Sequence, residues 1–487
     1  MPMPFLGKNH LYWCNNCNIP ILEKNKCNIC NSSTEKVPIT TPYDVRPAFE
    51  KDLELIRRTI DNQFGNGLGP KIIEDNKIIL LNKAPYFDRM DEIILDGKIL
   101  GTIRYNIERA QPKWEFIPRI EGAKRLAKFG CKKWVKVDED AVKFIRQAAN
   151  VLAPGVLDND NSIEYDEYVI VINPNSEAIG IGVSRATGKE IPNKKKGMVV
   201  KTKRGIQDST LNILPSGQTW DLVIEANSTV LENKEKHAMN LIKNVVKRYD
   251  LPKLVSFSGG KDSICTLMLV LESGIDFKVF YLDTGIEFEE SINFVNEIIR
   301  DFKLKDSFIM CKTDADFFEN IETRGVPAKD YRWCNRLLKL NVIIHMIQNN
   351  FPDGIVTFVG SRKYESFSRY QDSIKGHIVK SKLIDKQINV NLIINWTALH
   401  VWLYIFSKKV KFNPLYKLGY ERIGCMYCPA NKLADLEILK EIHPKIYEKW
   451  HKILENQAKK LNYPQEWITK GFWRYHNKEK WRLNTQY

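Results

Sequence analysis

Apolar and polar positions change period several times along this 487-residue chain, and each change marks a different kind of unit. Val45 to Ile60 carries apolar residues at helical spacing, and Gly65-Asn66-Gly67-Leu68-Gly69-Pro70 then breaks the chain. The runs Lys71 to Asn82 and Glu92 to Tyr105 read as strands, the second folded at Asp96-Gly97. Together they predict a small α+β unit over residues 39–130. From residue 131 to 206 the pattern turns β-rich: a strand at Trp134 to Asp138, a short helix at Asp140 to Ala149 and a loop at Val151 to Val156. Tyr168 to Asn173, Ile179 to Ser184 and Gly197 to Thr202 supply further strands. Over 207–433 buried-strand runs alternate with helices: Leu251 to Ser256, Ile264 to Glu272, Phe277 to Leu282, then a helix opened by Phe288-Glu289-Glu290. Such alternation predicts an α/β unit with a doubly wound, mostly parallel sheet. The tail, 434–487, is helix-like and then basic and aromatic.

Hydrophobic residues at 43% and aromatics at 11% are enough to form several cores and exclude global disorder. The formal net charge of +15 favours polyanions such as nucleic acid, although a chain that is lysine-rich throughout gives the same number. No apolar run of about 18 residues or more occurs, so no membrane-spanning helix is expected. The stretch Met1 to Gly7 lacks the charged start and apolar core of a signal peptide, so a cytoplasmic location is expected. Ten cysteines in a reducing compartment point to metal or redox chemistry rather than disulfides.

Cys14-Asn15-Asn16-Cys17 and Cys27-Asn28-Ile29-Cys30 are two Cys-x-x-Cys knuckles close together, the spacing of a zinc ribbon over residues 1–38. Four thiolates close the coordination sphere of Zn²⁺, so the site is structural. Further on, the run Ser258-Gly259-Gly260-Lys261-Asp262-Ser263 joins a strand to a helix, which points backbone N–H groups and the positive helix end at an anion. The glycines allow close approach, Ser258 and Ser263 offer hydroxyls and Lys261 a cation, while Asp262 is read as a ligand for Mg²⁺. The Gly-x-x-x-x-Gly-Lys spacing of a Walker A loop is absent.

This string resembles the signature loop of the ATP pyrophosphatase (adenine nucleotide alpha-hydrolase-like) superfamily, which implies ATP as the bound nucleotide. Asp283-Thr284-Gly285 at the next strand end, and Gly360 to Arg369, narrow the resemblance to the phosphoadenosine phosphosulfate reductase family over roughly Val245 to Ala430. It implies that Arg362 and Arg369 bind phosphate or sulfate oxygens with Glu365 orienting them, and that Asp283 lies at the nucleotide. The β-rich unit resembles a PUA domain, on Asn150 to Val156, Glu167 to Pro174 and Ile179 to Arg185, which implies binding of structured RNA. Gly155 suits close backbone approach or positive φ there.

Cys334 and the pair Cys425 and Cys428 stand at family positions that converge near the nucleotide. Iron–sulfur members use four cysteines, but Asn335 replaces one here, leaving three thiolates. Three can hold an iron–sulfur cluster of the 4Fe–4S type with one iron open; a zinc site with an added ligand, a redox pair and buried structural cysteines are the alternatives. True reductases carry a C-terminal nucleophilic cysteine, and this chain has none after Cys428. In the tail, Trp450, Tyr463, Trp467, Phe472, Trp473, Tyr475 and Trp481 interleave with Lys470, Arg474, Lys478, Lys480 and Arg482, fitting either stacking on RNA or docking on the catalytic domain.

The combination suggests an ATP-dependent RNA-modifying enzyme: a tRNA sulfurtransferase that adenylates a base carbonyl, with Lys261, Asp262, Cys334, Cys425 and Cys428 as catalytic residues and a separate sulfur donor. A sulfonucleotide reductase and a non-catalytic RNA-binding protein are the other two readings.

Overall fold

Four sheets organise the chain, each drawing its strands from one contiguous stretch of sequence. The computed structural model describes residues 6–23, 26–109 and 113–483, without the side chains of Arg482 and Leu483, so the expectations placed on residues 1–5 and on Arg482 lie outside the described residues.

The first sheet is antiparallel: β1 (Leu11–Cys14) lies between β2 (Ile19–Leu22) and β3 (Glu35–Lys36). So short a ribbon cannot build a core alone. Leu11, Trp13, Ile19 and Ile21 pack instead with Val223, Ala226 and Val230 of a later long helix.

The second sheet runs β4 (Val45–Pro47), β5 (Leu80–Lys83), β6 (Met90–Leu95), β7 (Lys98–Tyr105), β8 (Trp114–Pro118), all antiparallel neighbours. Helices α1 (Glu50–Phe64), α2 (Leu68–Ile72) and α3 (Ile120–Lys128) complete the unit. Here the sequence reading needs two corrections. Val45 to Pro47 is an edge strand, where proline's missing donor is harmless, and the helix starts only where Asp52 accepts from the Phe49 N–H at 3.0 Å. Of Lys71 to Asn82, only the part from Leu80 pairs as a strand; its start closes α2. The Asp96-Gly97 hairpin does form, with φ of 52° and 70° as a type I′ turn demands.

The third sheet contains β9 (Trp134–Val137), then, past α4 (Glu139–Arg146), β10 (Val151–Leu152), β11 (Val156–Asn159), β12 (Tyr168–Ile172), β13 (Ala178–Ser184) and β14 (Met198–Gly205), in the order β10-β14-β13-β12-β9-β11. Gly155 sits in a 3₁₀ turn without positive φ, and a Cβ there would meet Ala141 at an ordinary 3.5 Å. Gly182 makes a close approach within the sheet, since its Cβ would run into Val200 and the Lys201 carbonyl of β14.

A long helix, α5 (Trp220–Arg248), leads into the fourth sheet. Its elements are β15 (Lys253–Ser256), α6 (Lys261–Glu272), β16 (Lys278–Asp283), α7 (Glu289–Asp301), β17 (Phe308–Lys312), α8 (Phe317–Arg324), α9 (Asn341–Asn350), β18 (Ile355–Val359), α10 (Phe367–Ser373), β19 (Ile378–Lys380), β20 (Gln387–Val390) and α11 (Ala398–Ser407). The order β17-β16-β15-β18-β20-β19 is parallel except for β19, which gives the doubly wound α/β arrangement that the alternating pattern predicts. Among the described residues no helix is long and apolar enough to cross a membrane.

The tail forms α12 (Leu433–Ile442), α13 (Pro444–Lys460), α14 (Glu466–Thr469) and α15 (Glu479–Leu483). Trp450, Trp467, Phe472 and Trp473 are buried around Phe317, Trp333 and Tyr427, so docking, not RNA stacking, uses these rings. Its cations are also engaged: Lys470 with Glu108 at 2.8 Å, Lys480 with Asp330 at 3.0 Å, and Lys478 over the Tyr463 ring. Arg474 pairs with Asp88 at 3.0 Å, both buried, and the same carboxylate accepts the N–H groups of Leu433 and Ala434 that open α12. Arg474→Ala leaves that carboxylate buried with one partner fewer, so chemical denaturation should report a loss of about 3–5 kcal/mol.

Candidate nucleotide and thiol site

β15 is apolar because it is hydrogen-bonded on both sides, to β16 and to β18, and the chain winds away from it in both directions. This is the switch point of the sheet, where a crevice opens beyond the strand ends. The loop from Phe257 to Gly260 fills it, and Gly259 takes the left-handed conformation at φ +75° that lets α6 begin at Lys261. Ser263 Oγ accepts from the Ser258 N–H at 3.2 Å and donates to the Gly260 carbonyl at 2.8 Å, so this hydroxyl braces the loop. The Tyr416 hydroxyl accepts from the Lys261 N–H at 2.9 Å, covering one of the helix's free donors.

Behind the loop lies an alternating chain of charges. Lys261 Nζ donates to Asp262 Oδ2 at 2.7 Å, and Arg362 Nε donates to Asp262 Oδ1 at 2.6 Å. The other end of the Arg362 fork grips Asp44 through two bonds of 2.7 and 3.1 Å. Asp44 Oδ1 also accepts the Ala398 N–H at the start of α11, at 2.6 Å. Burial works to raise the Asp262 carboxyl, but Arg362 and Lys261 hold it below the usual carboxylate range. Both of its oxygens therefore meet cations here, not an open Mg²⁺ position.

Arg362 departs from its expected role. Buried at 2% exposure and with its donors on Asp262, Asp44 and the Trp396 carbonyl, it is a strut beneath the loop and presents no free fork to a phosphate. Glu365 accepts from the Arg362 backbone N–H at 3.2 Å and stands 3.9 Å from Arg369, which is exposed near the start of α10. Asp283, at the end of β16, accepts from the Gly285 N–H at 2.9 Å and lies 3.7 Å from Lys312.

The loop after β16 also receives the thiols. The Met426 N–H donates to the Ile286 carbonyl at 2.9 Å, which docks the Cys425-to-Cys428 turn on that loop. Cys425 Sγ donates to Glu287 at 3.4 Å, Thr284 donates to the same oxygen at 2.8 Å, and Lys339 stands 3.5 Å from it. A π-helical turn, Asn335–Leu340, directly after Cys334 carries Lys339 there. Cys334, Cys425 and Cys428 share one apolar cluster with Trp333 and Tyr427. Burial and the Glu287 charge push the Cys425 thiol up to about 12. Sequence reasoning missed Asp44, Tyr416, Glu287 and Lys339, none of which belongs to a recognisable string.

Among the described residues, Cys14, Cys17, Cys27 and Cys30 are the one group of metal-ligating side chains whose ligand atoms all lie within 4.8 Å of one another. Four sulfurs so close fit a single tetrahedral Zn²⁺. Cys334, Cys425 and Cys428 do not form such a group.

The domain model of the phosphoadenosine phosphosulfate reductase domain matches residues 252–431, and that of the PUA domain residues 133–206. An uncharacterized protein of Methanocaldococcus jannaschii is 37% identical over 483 residues, covering 97% of this chain and 98% of its own length. An adenosine 5'-phosphosulfate reductase of Geobacillus is 24% identical over 221 residues, 44% of this chain and 88% of that protein. The crystal structure of phosphoadenylyl-sulfate reductase from Candida auris shares 15% identity with a TM-score of 0.32, over 41% of this chain and 95% of that one.

Proposed function

We propose, from the phosphoadenosine phosphosulfate reductase domain that this chain carries together with a PUA domain, that it is an ATP-dependent RNA-modifying enzyme, a tRNA sulfurtransferase. The observation that carries this reading is the meeting of Cys334, Cys425 and Cys428 in one cluster beside the loop after β16, the strand next to the nucleotide loop, in a chain with an RNA module.

In this reading the PUA domain holds the RNA and the loop from Ser258 to Ser263 receives the ATP phosphates, with Mg²⁺ on the nucleotide. A base carbonyl oxygen attacks the α-phosphorus and pyrophosphate leaves. Lys261 neutralises the departing charge, α6 adds its positive end, and Arg369 is the exposed cation free to reach the nucleotide. Asp262 holds Lys261 in place and Asp283 fixes the turn beside it. A sulfur nucleophile then displaces AMP, leaving the thiocarbonyl. Three soft sulfurs gathered in one cluster would suit an iron–sulfur cluster held by Cys334, Cys425 and Cys428, and an open iron would supply a place for sulfide. Lys339 sets a positive charge beside those thiols and Glu287 orients it.

The named adenosine 5'-phosphosulfate reductases among its relatives support a second reading, reduction of a sulfonucleotide. The two separate in one assay. With anaerobically purified protein and unmodified tRNA, pyrophosphate release from ATP should rise by about tenfold or more over the RNA-free rate. Sulfite release from adenosine 5'-phosphosulfate, with no response to tRNA, would favour the reductase instead.

A further inference from the structure

We propose that Asp44 is a positioning residue that sets the charge of the nucleotide loop from outside the nucleotide domain. The proposal rests on reading that loop as a polyphosphate site. Asp44 lies just before β4, in the N-terminal unit, 318 residues from its partner Arg362. It closes a row of four alternating charges: Asp44, Arg362, Asp262 and Lys261, with side chains exposed by 12%, 2%, 13% and 10%. Two anions and two cations cancel within the row, and Glu365, which accepts from the Arg362 backbone N–H at 3.2 Å, adds a further carboxylate beside it. Lys261, the member that belongs to the loop itself, is held at one end, and Asp44 is the anion at the other.

The physical consequence follows from burial. In a desolvated, low-dielectric setting a charge added or removed one or two side chains away is felt strongly at the loop. Asp44 takes up half of the Arg362 fork, which leaves Asp262 shared between Arg362 and Lys261. Without the Asp44 charge, Arg362 leans more fully on Asp262, Lys261 loses part of its hold there, and the group is one unit more positive than before. An incoming polyphosphate then meets both a freer ammonium and a more positive site. Asp44 thus restrains anion binding at the loop.

Asp44 has a second task that must be separated from this one, the acceptor for the Ala398 N–H. Asp44→Asn keeps a side-chain oxygen for that bond, removes the charge, and turns Oδ2, the acceptor from Arg362 Nη2, into an amide donor. Inorganic pyrophosphate and ATP serve as probes in calorimetric titrations of the full-length protein, with melting temperatures as the check on folding. The account predicts that D44N binds pyrophosphate about tenfold more tightly, that Arg362→Gln binds it about tenfold more weakly, and that the double variant returns to within about threefold of the unmodified chain. A merely structural role predicts weaker binding in all three. Should D44N fail to fold, Asp44→Ser, which keeps an acceptor for the Ala398 N–H and removes the charge, carries the same prediction of tighter pyrophosphate binding. Unchanged or weaker binding in D44N, or a double variant no better than R362Q, overturns the proposal. Failure of pyrophosphate to bind any of the proteins overturns it too. Pyrophosphate binding that follows the predicted order without any binding of ATP would leave Asp44's role standing and defeat the ATP reading.

Discussion

Replacing Lys261 by alanine should lower kcat/KM for ATP-dependent pyrophosphate release by about a hundredfold or more in protein that still folds, with a lowered melting temperature because buried Asp262 keeps one partner fewer. Two losses combine. The cation at the start of α6 disappears, and with it the charge aimed at the departing pyrophosphate. Asp262 also keeps only Arg362 as a partner, so the row behind the loop turns net negative and repels the nucleotide. The fold survives because Arg362 still holds Asp262 and Asp44, and because Tyr416 bonds the Lys261 backbone rather than its side chain. Lys261→Arg keeps the charge and should recover part of the rate. A K261A rate within threefold of the unmodified protein would remove Lys261 from the chemistry.

The second large effect is structural. The purified protein should contain one zinc per chain at Cys14, Cys17, Cys27 and Cys30, and Cys27→Ser should lose it. The ribbon cannot keep its shape on three strands alone, so losing the ion exposes Trp13, Ile19 and Ile21 and uncovers the face of α5 against which they pack. At about 1.5–3 kcal/mol for each large apolar side chain, the expected destabilisation is several kcal/mol. Metal analysis and denaturant melts of C27S measure both parts. A zinc-free chain with unchanged stability would mean the ribbon is held by α5 without metal.

How much of this was legible in the sequence depended on the range of the contacts. The fourth sheet could be read because its strands are short apolar runs that alternate with helices, and the nucleotide loop because its function sits in six consecutive residues. The knuckle cysteines carried their geometry in their spacing. Residues recruited from afar carried no such mark: Tyr416 reaches Lys261 across 155 positions and Glu287 reaches Cys425 across 138. Arg362 misled for the same reason. A guanidinium next to a nucleotide motif suggests phosphate, and only the fold shows two carboxylates already on it. The tail's aromatic residues fit stacking or packing equally well in sequence, since burial against α8 and the Cys-x-x-Cys turn is a tertiary fact. Pro47 should have been a warning against a helix beginning at Val45, because proline fits an edge strand far better than a helix interior.

The claim at the centre of this account is that nucleotide activation and the thiols serve a tRNA base. Mass spectrometry of tRNA nucleosides from cells with and without the gene tests it most directly. The account predicts that one sulfur-containing nucleoside disappears while its oxygen counterpart accumulates in equal measure; an identical nucleoside profile in both would contradict it.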